Sequence, residues 1–394
     1  MKLVEQHIIK KTSPMFEECK DLCFKSKNLY NRALYEVRQS FIKDKKYLNY
    51  YDIEKLCKKE KLPEYMNLPR KVSQQILKIL NQNWSSFFGL LKLVKNKQYE
   101  SKKVKLPKYV RKNGLFLLIY TNQAISKRLL KNGIIKLSGT NIEFKTDKKN
   151  IRQVRIIPKY GRFVIELVYE IPDVKIKENN NKYAGMDIGI DNLATVGFNF
   201  GKGFIINGKP LKSINQYFNK MVAEEKSLLP KGVYTNKKLE RLYFKRDNKI
   251  KDYLHKASRY IINQLVSKNV NILIIGHNKN WKQEINIGKR NNQNFISIPF
   301  NKLIHMLTYK AQLEGIRVIE TEESYTSKCS FLDDEKIGKH ENYKGKRIKR
   351  GLFRTSLGKL INADLNGALN ILKKVVGEFQ YPIEVCSTPL KLTC

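Results

Sequence analysis

Two aspartates lie among apolar and small residues, an unusual setting for an acidic side chain. Asp187 falls within YAGMDIGIDNLAT (residues 183–195), where a glycine on either side would let the backbone approach a phosphate closely. Asp364 falls within INADLNGALNI (residues 361–371), where small residues would let a helix pack tightly against a sheet. Carboxylates that converge on one point can hold two Mg²⁺ ions about 4 Å apart and promote phosphodiester hydrolysis. The sequence therefore predicts a two-metal site containing Asp187 and Asp364, at which Mn²⁺ could replace Mg²⁺.

Each aspartate also has a structural interpretation. Asp187 could cap a turn, but Asp191-Asn192 already supplies turn residues four positions later, and we assign Asp191 to that turn. Asp364 would stand on the first turn of a helix, where an aspartate can serve simply as an N-cap or as a partner of the helix dipole. For Asp364 alone the capping interpretation is the stronger one, and its pairing with Asp187 is what favours the metal site.

The elements that must position these residues follow from the spacing of apolar side chains. It predicts, in chain order, a strand at 2–10, a helix that begins at Ser13-Pro14, a helix across 71–92, a hairpin over 154–171 that turns at 159–162, three strands within 182–208, helices around 213–228 and 235–268, a strand at 271–275, a helix at 299–313, a strand at 316–320 and a helix from Ala363. Three strands followed by alternating helices and strands is the order of an RNase H-like α/β domain.

The two aspartate segments, together with this order of elements, resemble the TnpB (OrfB) family. They are similar to its D-x-G-x-x-N-L-A-T and D-x-N-G-A-x-N-I motifs, and further similar segments run along most of the chain: Ser73-Gln74-Gln75, Trp84 with Phe87-Phe88, Leu106-Pro107-Lys108-Tyr109 and Tyr325-Thr326-Ser327. The family comprises RNA-guided DNA nucleases of small insertion sequences, related to type V CRISPR effectors. The resemblance implies a guide RNA, a double-stranded DNA target beside a short adjacent motif, and a RuvC nuclease with an Asp, Glu, Asp triad.

The resemblance also implies a multidomain fold of α+β and α/β type. A wedge-like β-barrel would comprise residues 1–12 and 97–178, a helical recognition lobe 13–96, and an RNase H-like (RuvC) nuclease domain 182–394, with a degenerate zinc ribbon at about 329–360. The polar run 178–181 has the composition of a linker.

The second-motif glutamate of the family departs from its usual place. That glutamate follows the strand at 271–275, where this chain has Gly276-His277-Asn278. The next strand ends in Glu322-Glu323, immediately before Tyr-Thr-Ser, and some branches of the family carry the glutamate at this relocated position. We assign the third metal ligand to Glu323, with Glu322 as the alternative. If both acids were surface residues, the nuclease would be inactive.

The zinc ribbon of the family also departs from its pattern, because only Cys329 and His340 remain of the soft ligands in that interval. A structural zinc site needs four such ligands, so the sequence predicts no zinc. The basic stretch that replaces the ribbon is either a loop that contacts phosphates, through Lys346, Arg347 and Arg350, or a solvated run of charge.

The charge balance predicts a polyanionic partner. There are 77 Lys and Arg against 36 Asp and Glu, a net charge of +41 spread over the whole length. Lipid binding needs a local cluster, and A+T-biased coding explains many lysines but not the scarcity of acids, so nucleic acid is the better interpretation. A dense basic segment interleaved with Tyr99 and Tyr109 is the first candidate to bind it, through Lys102, Lys103, Lys105, Lys108 and Arg111.

The apolar runs are shorter than the roughly 20 residues of a membrane span, and the six cysteines do not have the density of a disulfide framework. We therefore expect a cytoplasmic, nucleoid-associated protein whose Cys19 and Cys23 act as small buried side chains.

Two other functions fit part of the sequence. An RNA-guided repressor without nuclease activity would explain Gly276 but not the two aspartates. An unguided, structure-specific nuclease would explain the aspartates but not the helical and β segments that precede them.

Overall fold

The computed structural model describes residues 1–278, 286, 288–379 and 390–394, which form a mixed α+β protein. Two compact units are present, Met1–Pro172 and Asp173–Cys394. The division into a β-domain, a helical lobe and a nuclease domain stays a prediction. In the described part of the chain, every helix is too short or too polar to cross a bilayer.

The first unit combines helices with a four-stranded antiparallel sheet of order β1-β6-β5-β2 and a separate hairpin, β3-β4. Its elements are β1 (Lys2–Ile9), α1 (Phe16–Lys43), α2 (Tyr50–Lys59), α3 (Pro63–Met66), α4 (Arg70–Lys95), β2 (Leu118–Thr121), α5 (Lys127–Lys131), β3 (Ile134–Lys136), β4 (Glu143–Lys145), β5 (Ile151–Lys159) and β6 (Arg162–Glu170). Within residues 1–172, all of which are described, β1 and β2 remain unpaired edges. The sheet is therefore open, and the closed barrel predicted for this region is not observed.

Local sequence explains the elements of this unit that were predicted. The β5-β6 hairpin turns at Tyr160 and Gly161, whose φ angles of +50° and +66° give the turn that matches the twist of a hairpin. Helix α1 begins at Phe16 and not at Ser13, because Met15 is its N-cap and Ser13 accepts a hydrogen bond from the Met15 N–H at 3.4 Å. The helices and the sheet share one apolar core that includes Trp84.

The predicted burial of Cys19 and Cys23 in α1 is confirmed, since both side chains are fully buried. Cys386 lies outside the described residues.

The second unit is built on a six-stranded sheet of order β11-β10-β7-β8-β9-β15. Its elements are β7 (Tyr183–Asp187), β8 (Asn192–Phe198), β9 (Phe204–Asn207), α6 (Lys209–Ser227), α7 (Lys237–Ser267), β10 (Ile272–Gly276), α8 (Lys289–Ser297), α9 (Phe300–Leu313), β11 (Arg317–Thr321), β12 (Lys346–Lys349), β13 (Leu352–Arg354), β14 (Leu360–Asn362), α10 (Ala363–Val376) and β15 (Leu390–Leu392). Strands β7, β8 and β9 are antiparallel, β10 and β11 run parallel to β7, and β12-β13-β14 form a small antiparallel sheet.

Helices cover both faces of the six-stranded sheet. Leu273 and Ile275 of β10 pack into the core that contains α7 and α9, whereas Ile274 between them packs against Ile371 and Leu372 of α10. A strand that is apolar on both faces is typical of a sheet buried between two layers. Helix α10 lies close to β7 because residue 185 is glycine, as a Cβ there would overlap the carbonyl oxygen of Ala368. This packing places the start of α10 beside the end of β7.

Candidate active site

Asp187 is the last residue of β7, a central strand of the six-stranded sheet. Its carboxylate lies against α10, where a Cβ on Gly367 would stand 3.1 Å from Asp187 Oδ2. The glycine therefore makes room for the acid. Across the strand pair, Asp187 is in register with Thr195 of β8, whose hydroxyl is buried and has no hydrogen-bond partner among the described residues.

Asp364 is the second residue of α10, but it does not cap the helix. The cap is Asn362, whose Oδ1 accepts from the N–H groups of Asp364 and Leu365 at 3.0 and 3.1 Å. The Asp364 carboxylate is free to accept from Asn192 Nδ2 at 2.6 Å and from the Arg347 guanidinium at 2.9 Å. The capping interpretation of Asp364 is therefore wrong.

Glu323 lies two residues beyond β11 and is bracketed by a single asparagine. Asn278 Nδ2 donates to Glu323 Oε1 at 3.1 Å, and the Glu323 N–H donates to Asn278 Oδ1 at 3.1 Å. The side chain is half-buried. Glu322 instead is exposed, where it accepts from the Ser324 hydroxyl and stands 3.7 Å from Lys374 Nζ. The two adjacent glutamates thus differ in burial and in their partners.

Gly276, at the end of β10, occupies the position at which the family that the sequence resembles usually has its second-motif glutamate. A Cβ built on it would lie 3.4 Å from Glu323 Cβ and 2.9 Å from Ile371 Cγ1. Glu323 therefore starts next to the space that a side chain at position 276 would enter.

Electrostatics link the three carboxylates. Burial raises the pKa of Asp187 well above its usual range, and the negative charges of Asp364 and Glu323 raise it further, whereas Arg347 acts in the opposite direction. Burial also raises the pKa of Glu323. A buried aspartate whose charge is further disfavoured by two neighbouring carboxylates is a group that a cation would stabilise.

A pocket of about 540 Å³ opens beside Asp187 and Asp364. Its lining includes Asn192, Thr195 and Arg347, but Glu323 is not part of it. In the described ranges, no three His, Cys, Asp or Glu side chains are grouped closely enough to hold a metal ion together. The donors nevertheless suit Mg²⁺, which prefers carboxylate oxygens and water, and the unpartnered Thr195 hydroxyl is a polar atom that a bound water could reach.

Asp191, assigned from the sequence to a turn, lies between β7 and β8 and lines the same pocket. Its carboxylate is paired with Lys212 Nζ at 2.6 Å and with the Arg350 guanidinium. The backbone carbonyl of Asp191 accepts from the Gly208 N–H at 2.8 Å, which ties the turn to the start of α6.

Two further asparagines of the last motif were not identified from the sequence as functional. Asn366 Nδ2 donates to the carbonyl oxygen of Cys329 at 2.9 Å, and Asn370 Nδ2 donates to the carbonyl oxygens of Thr326 and Cys329, each at 2.8 Å. They tie the segment that follows Glu323 to the helix that carries Asp364. Their spacing of four residues, on one face of α10, was the available signal.

The predicted nucleic-acid residues fall into two groups. The first group is exposed in the first unit and comprises Lys102, Lys103, Lys105, Lys108 and Arg111. Lys102 and Lys103 lie in a short 3-10 helix, Ser101–Lys103, and Lys103 pairs with Glu100. In the second unit, Lys346 is exposed, whereas Arg347 and Arg350 contact the carboxylates of Asp364 and Asp191. Arg347 and Arg350 are therefore engaged by carboxylates that line the pocket.

Comparison with known proteins agrees with these motifs. A family model described as a probable transposase (OrfB) matches residues 166–282, and one described as a Cas12f1-like TNB domain matches residues 300–371. The TnpB-like protein ORF457 of Acidianus two-tailed virus is 29% identical over 405 residues, covering 89% of this chain and 82% of that protein. Over most of its length the chain is therefore similar to TnpB-like proteins.

Other similar proteins include a second TnpB-like protein and two CRISPR-associated nucleases. The TnpB-like protein MJ0751 of Methanocaldococcus jannaschii is 26% identical, with coverage of 61% of this chain and 83% of that protein. The CRISPR-associated endodeoxyribonuclease Cas12f1 of Sulfoacidibacillus thermotolerans is 23% identical, over 80% of this chain and 72% of that protein. In fold, the structure of a mini-RNA-guided endonuclease, CRISPR-Cas_phi3, superimposes with a TM-score of 0.51 at 11% identity, over 97% and 94% of the two chains.

Proposed function

We propose that this protein is a member of the TnpB family and an RNA-guided, Mg²⁺-dependent endonuclease that cleaves double-stranded DNA beside a short adjacent motif. Its catalytic metal ligands would be Asp187, Glu323 and Asp364. The observation that carries the proposal is that Asp187, at the end of β7, and Asp364, on the first turn of α10, line one pocket although they are 177 positions apart in sequence. The curated relatives named as Cas12f endodeoxyribonucleases support the same activity.

The sheet supports an RNase H-like (RuvC) assignment for the second unit. Three antiparallel strands, β9-β8-β7, continue into the parallel strands β10 and β11, with helices between the parallel strands. The carboxyl ends of parallel strands meet at one edge of a sheet. Asp187 ends β7 and Glu323 follows β11, so this topology accounts for their proximity.

The protein's own groups would prepare the site for a phosphodiester. Asp187 and Asp364 would hold a divalent cation at the pocket, and Glu323 would supply a further oxygen from the loop beyond β11. Cations bound there would activate a water molecule and stabilise the leaving oxygen. Arg347 and Arg350 are close enough to pass from Asp364 and Asp191 to the phosphates of an entering strand, because an arginine binds phosphate and carboxylate with the same planar donors.

Guide RNA and target DNA would be held mainly by their backbones. In guided recognition base pairing reads the sequence, so the protein needs many cationic contacts and few contacts to bases. A net charge of +41 and the exposed basic segment at 102–111 meet that need. We therefore expect binding to weaken steeply with salt.

A second candidate is an RNA-guided DNA-binding repressor. It is favoured by one observation, the replacement of the usual glutamate by Gly276. In that case Glu323 would be a structural residue, held by Asn278 and without contact to a cation.

The test is to purify the protein with its co-expressed native transcript and to measure Mg²⁺-dependent cleavage of a plasmid library that matches the guide. Asp187→Ala and Glu323→Gln should abolish cleavage without loss of guided binding. Glu322→Gln is the matched control, because it removes the neighbouring charge from an exposed side chain, and it should cleave like the wild type. Guided binding without cleavage by the wild type would establish the repressor instead.

A further inference from the structure

We propose that Asn278 is a positioning residue that fixes the carboxylate of Glu323 for a divalent cation. This inference rests on the proposed function, since it assigns a role within the same site. It concerns a residue that neither the motifs nor the charge pattern identified.

The geometry of Asn278 is unusual because both ends of one amide hold one residue. Its Nδ2 donates to Glu323 Oε1 and its Oδ1 accepts from the Glu323 N–H, both at 3.1 Å. The side chain of Glu323 is thereby oriented relative to its own backbone. Of the two carboxylate oxygens, Asn278 engages Oε1, so Oε2 is the oxygen that would bind a cation.

The pairing of β10 and β11 explains why these two residues meet. The strands are parallel with Gly276 opposite Thr321, and the His277 N–H continues the ladder to the Thr321 carbonyl oxygen at 2.8 Å. Carrying that register forward brings Asn278 opposite Glu323. The Asn278 amide therefore lies opposite Glu323, two residues beyond the end of each strand.

Gly276 contributes to this arrangement because it leaves space for the Glu323 side chain. A side chain at that position would overlap Ile371 and stand against Glu323 Cβ. Because residue 276 is glycine, the Glu323 side chain has room beside the end of β10, where Asn278 binds its carboxylate. Because its carboxylate is placed by a neighbour and not by its own strand, removal of that neighbour should affect cation binding more than folding.

Outer partners of metal ligands change metal affinity by about 10- to 100-fold when they are removed. We therefore expect Asn278→Ala to weaken Mn²⁺ binding, and to raise the half-saturating Mg²⁺ concentration for cleavage, by about that factor. At saturating Mg²⁺, cleavage should return to within a few-fold of the wild type. Asn278→Asp should be worse than Asn278→Ala, because it replaces the amide donor with a charge that repels Glu323.

The matched control is Asn199→Ala. Asn199 also uses both ends of its amide, since it accepts from the Tyr183 N–H and donates to the Asn181 carbonyl oxygen, each at 2.8 Å. It does so beside Tyr183, at the opposite end of β7 from Asp187. Asn199→Ala should lower the melting temperature but leave the Mg²⁺ dependence unchanged.

The experiment is a calorimetric Mn²⁺ titration of the full chain without nucleic acid, together with Mg²⁺ titrations of guided cleavage. In a Glu323→Gln background, Asn278→Ala should cause no further loss of Mn²⁺ affinity. An Asn278→Ala protein with the wild-type Mn²⁺ affinity, or with a defect no larger than that of Asn199→Ala, would overturn this inference alone. Equal Mn²⁺ affinities for wild type and Glu323→Gln would overturn the proposed ligand set, and this inference with it.

Discussion

Replacing Gly185 by alanine tests whether close packing of α10 on β7 assembles the site. A Cβ at this position would overlap the Ala368 carbonyl oxygen and would lie 2.8 Å from Leu372 Cβ. The first obstacle is backbone within a helix and cannot rotate away. The helix must therefore move off the strand, and it carries Asp364 away from Asp187 as it does so.

The structure sets the size of the effect. To bring the new Cβ to an ordinary contact distance, α10 must shift by about 1 Å, and overpacking of this kind costs about 1–3 kcal/mol. For a unit of 222 residues, from Asp173 to Cys394, that corresponds to a fall in melting temperature of about 2–12 °C. A misplacement of about 1 Å at a reacting centre also costs about 100-fold in rate.

The assay pairs differential scanning calorimetry with guided cleavage under Mg²⁺. Gly338→Ala is the control, because a Cβ there meets nothing within 4 Å and the residue belongs to the same unit. It should melt and cleave like the wild type. If Gly185→Ala also melted and cleaved like the wild type, the argument that this contact places Asp364 would be refuted.

Two other predictions concern charged groups. Burial alone would raise the pKa of Glu54, but hydrogen bonds from Lys58, Gln74 and Tyr50 outweigh it and lower the pKa to about 2. The resulting stability, about 3 kcal/mol at most, is present above the unfolded pKa and should fall by about half by pH 3. The free-energy difference between wild type and Glu54→Gln in urea denaturation should shrink accordingly, and a pH-independent difference would contradict this. Arg347→Gln should strengthen Mn²⁺ binding about two- to fivefold in calorimetry, because a half-exposed ion pair with Asp364 competes with the cation at about 0.5–1 kcal/mol. Lys346→Gln, an exposed change on the same hairpin, should leave the affinity unaltered, and a weaker affinity in Arg347→Gln would contradict the competition.

Local sequence was sufficient for several elements and for the choice of Asp187 and Asp364 as proposed ligands, whereas Glu323 was chosen through the family resemblance. The predicted helix across 71–92 is observed at Arg70–Lys95, and the predicted hairpin turn lies at Tyr160-Gly161, because helical spacing and positive φ are properties of neighbouring residues. Asp187 and Asp364 were recognisable for the same reason, since their unusual surroundings lie within a few residues of each. The open form of the sheet in the first unit was not predictable in this way, because closure into a barrel depends on whether β1 and β2 pair, and these strands are more than 100 residues apart.

The remaining features of the site depend on contacts between distant segments. From the sequence, Glu322 and Glu323 are adjacent acids with similar neighbours, and only the register of β10 against β11 brings Asn278 to Glu323 and leaves Glu322 in solvent. The contact of Arg347 with Asp364 was likewise hidden, because a basic run in a sequence does not reveal which carboxylate it meets. The sequence by itself determined which residue types and local conformations were present at the site. The tertiary structure decided which side chains meet, because hydrogen bonds and ion pairs form only between groups that strand pairing and helix packing bring within about 3 Å.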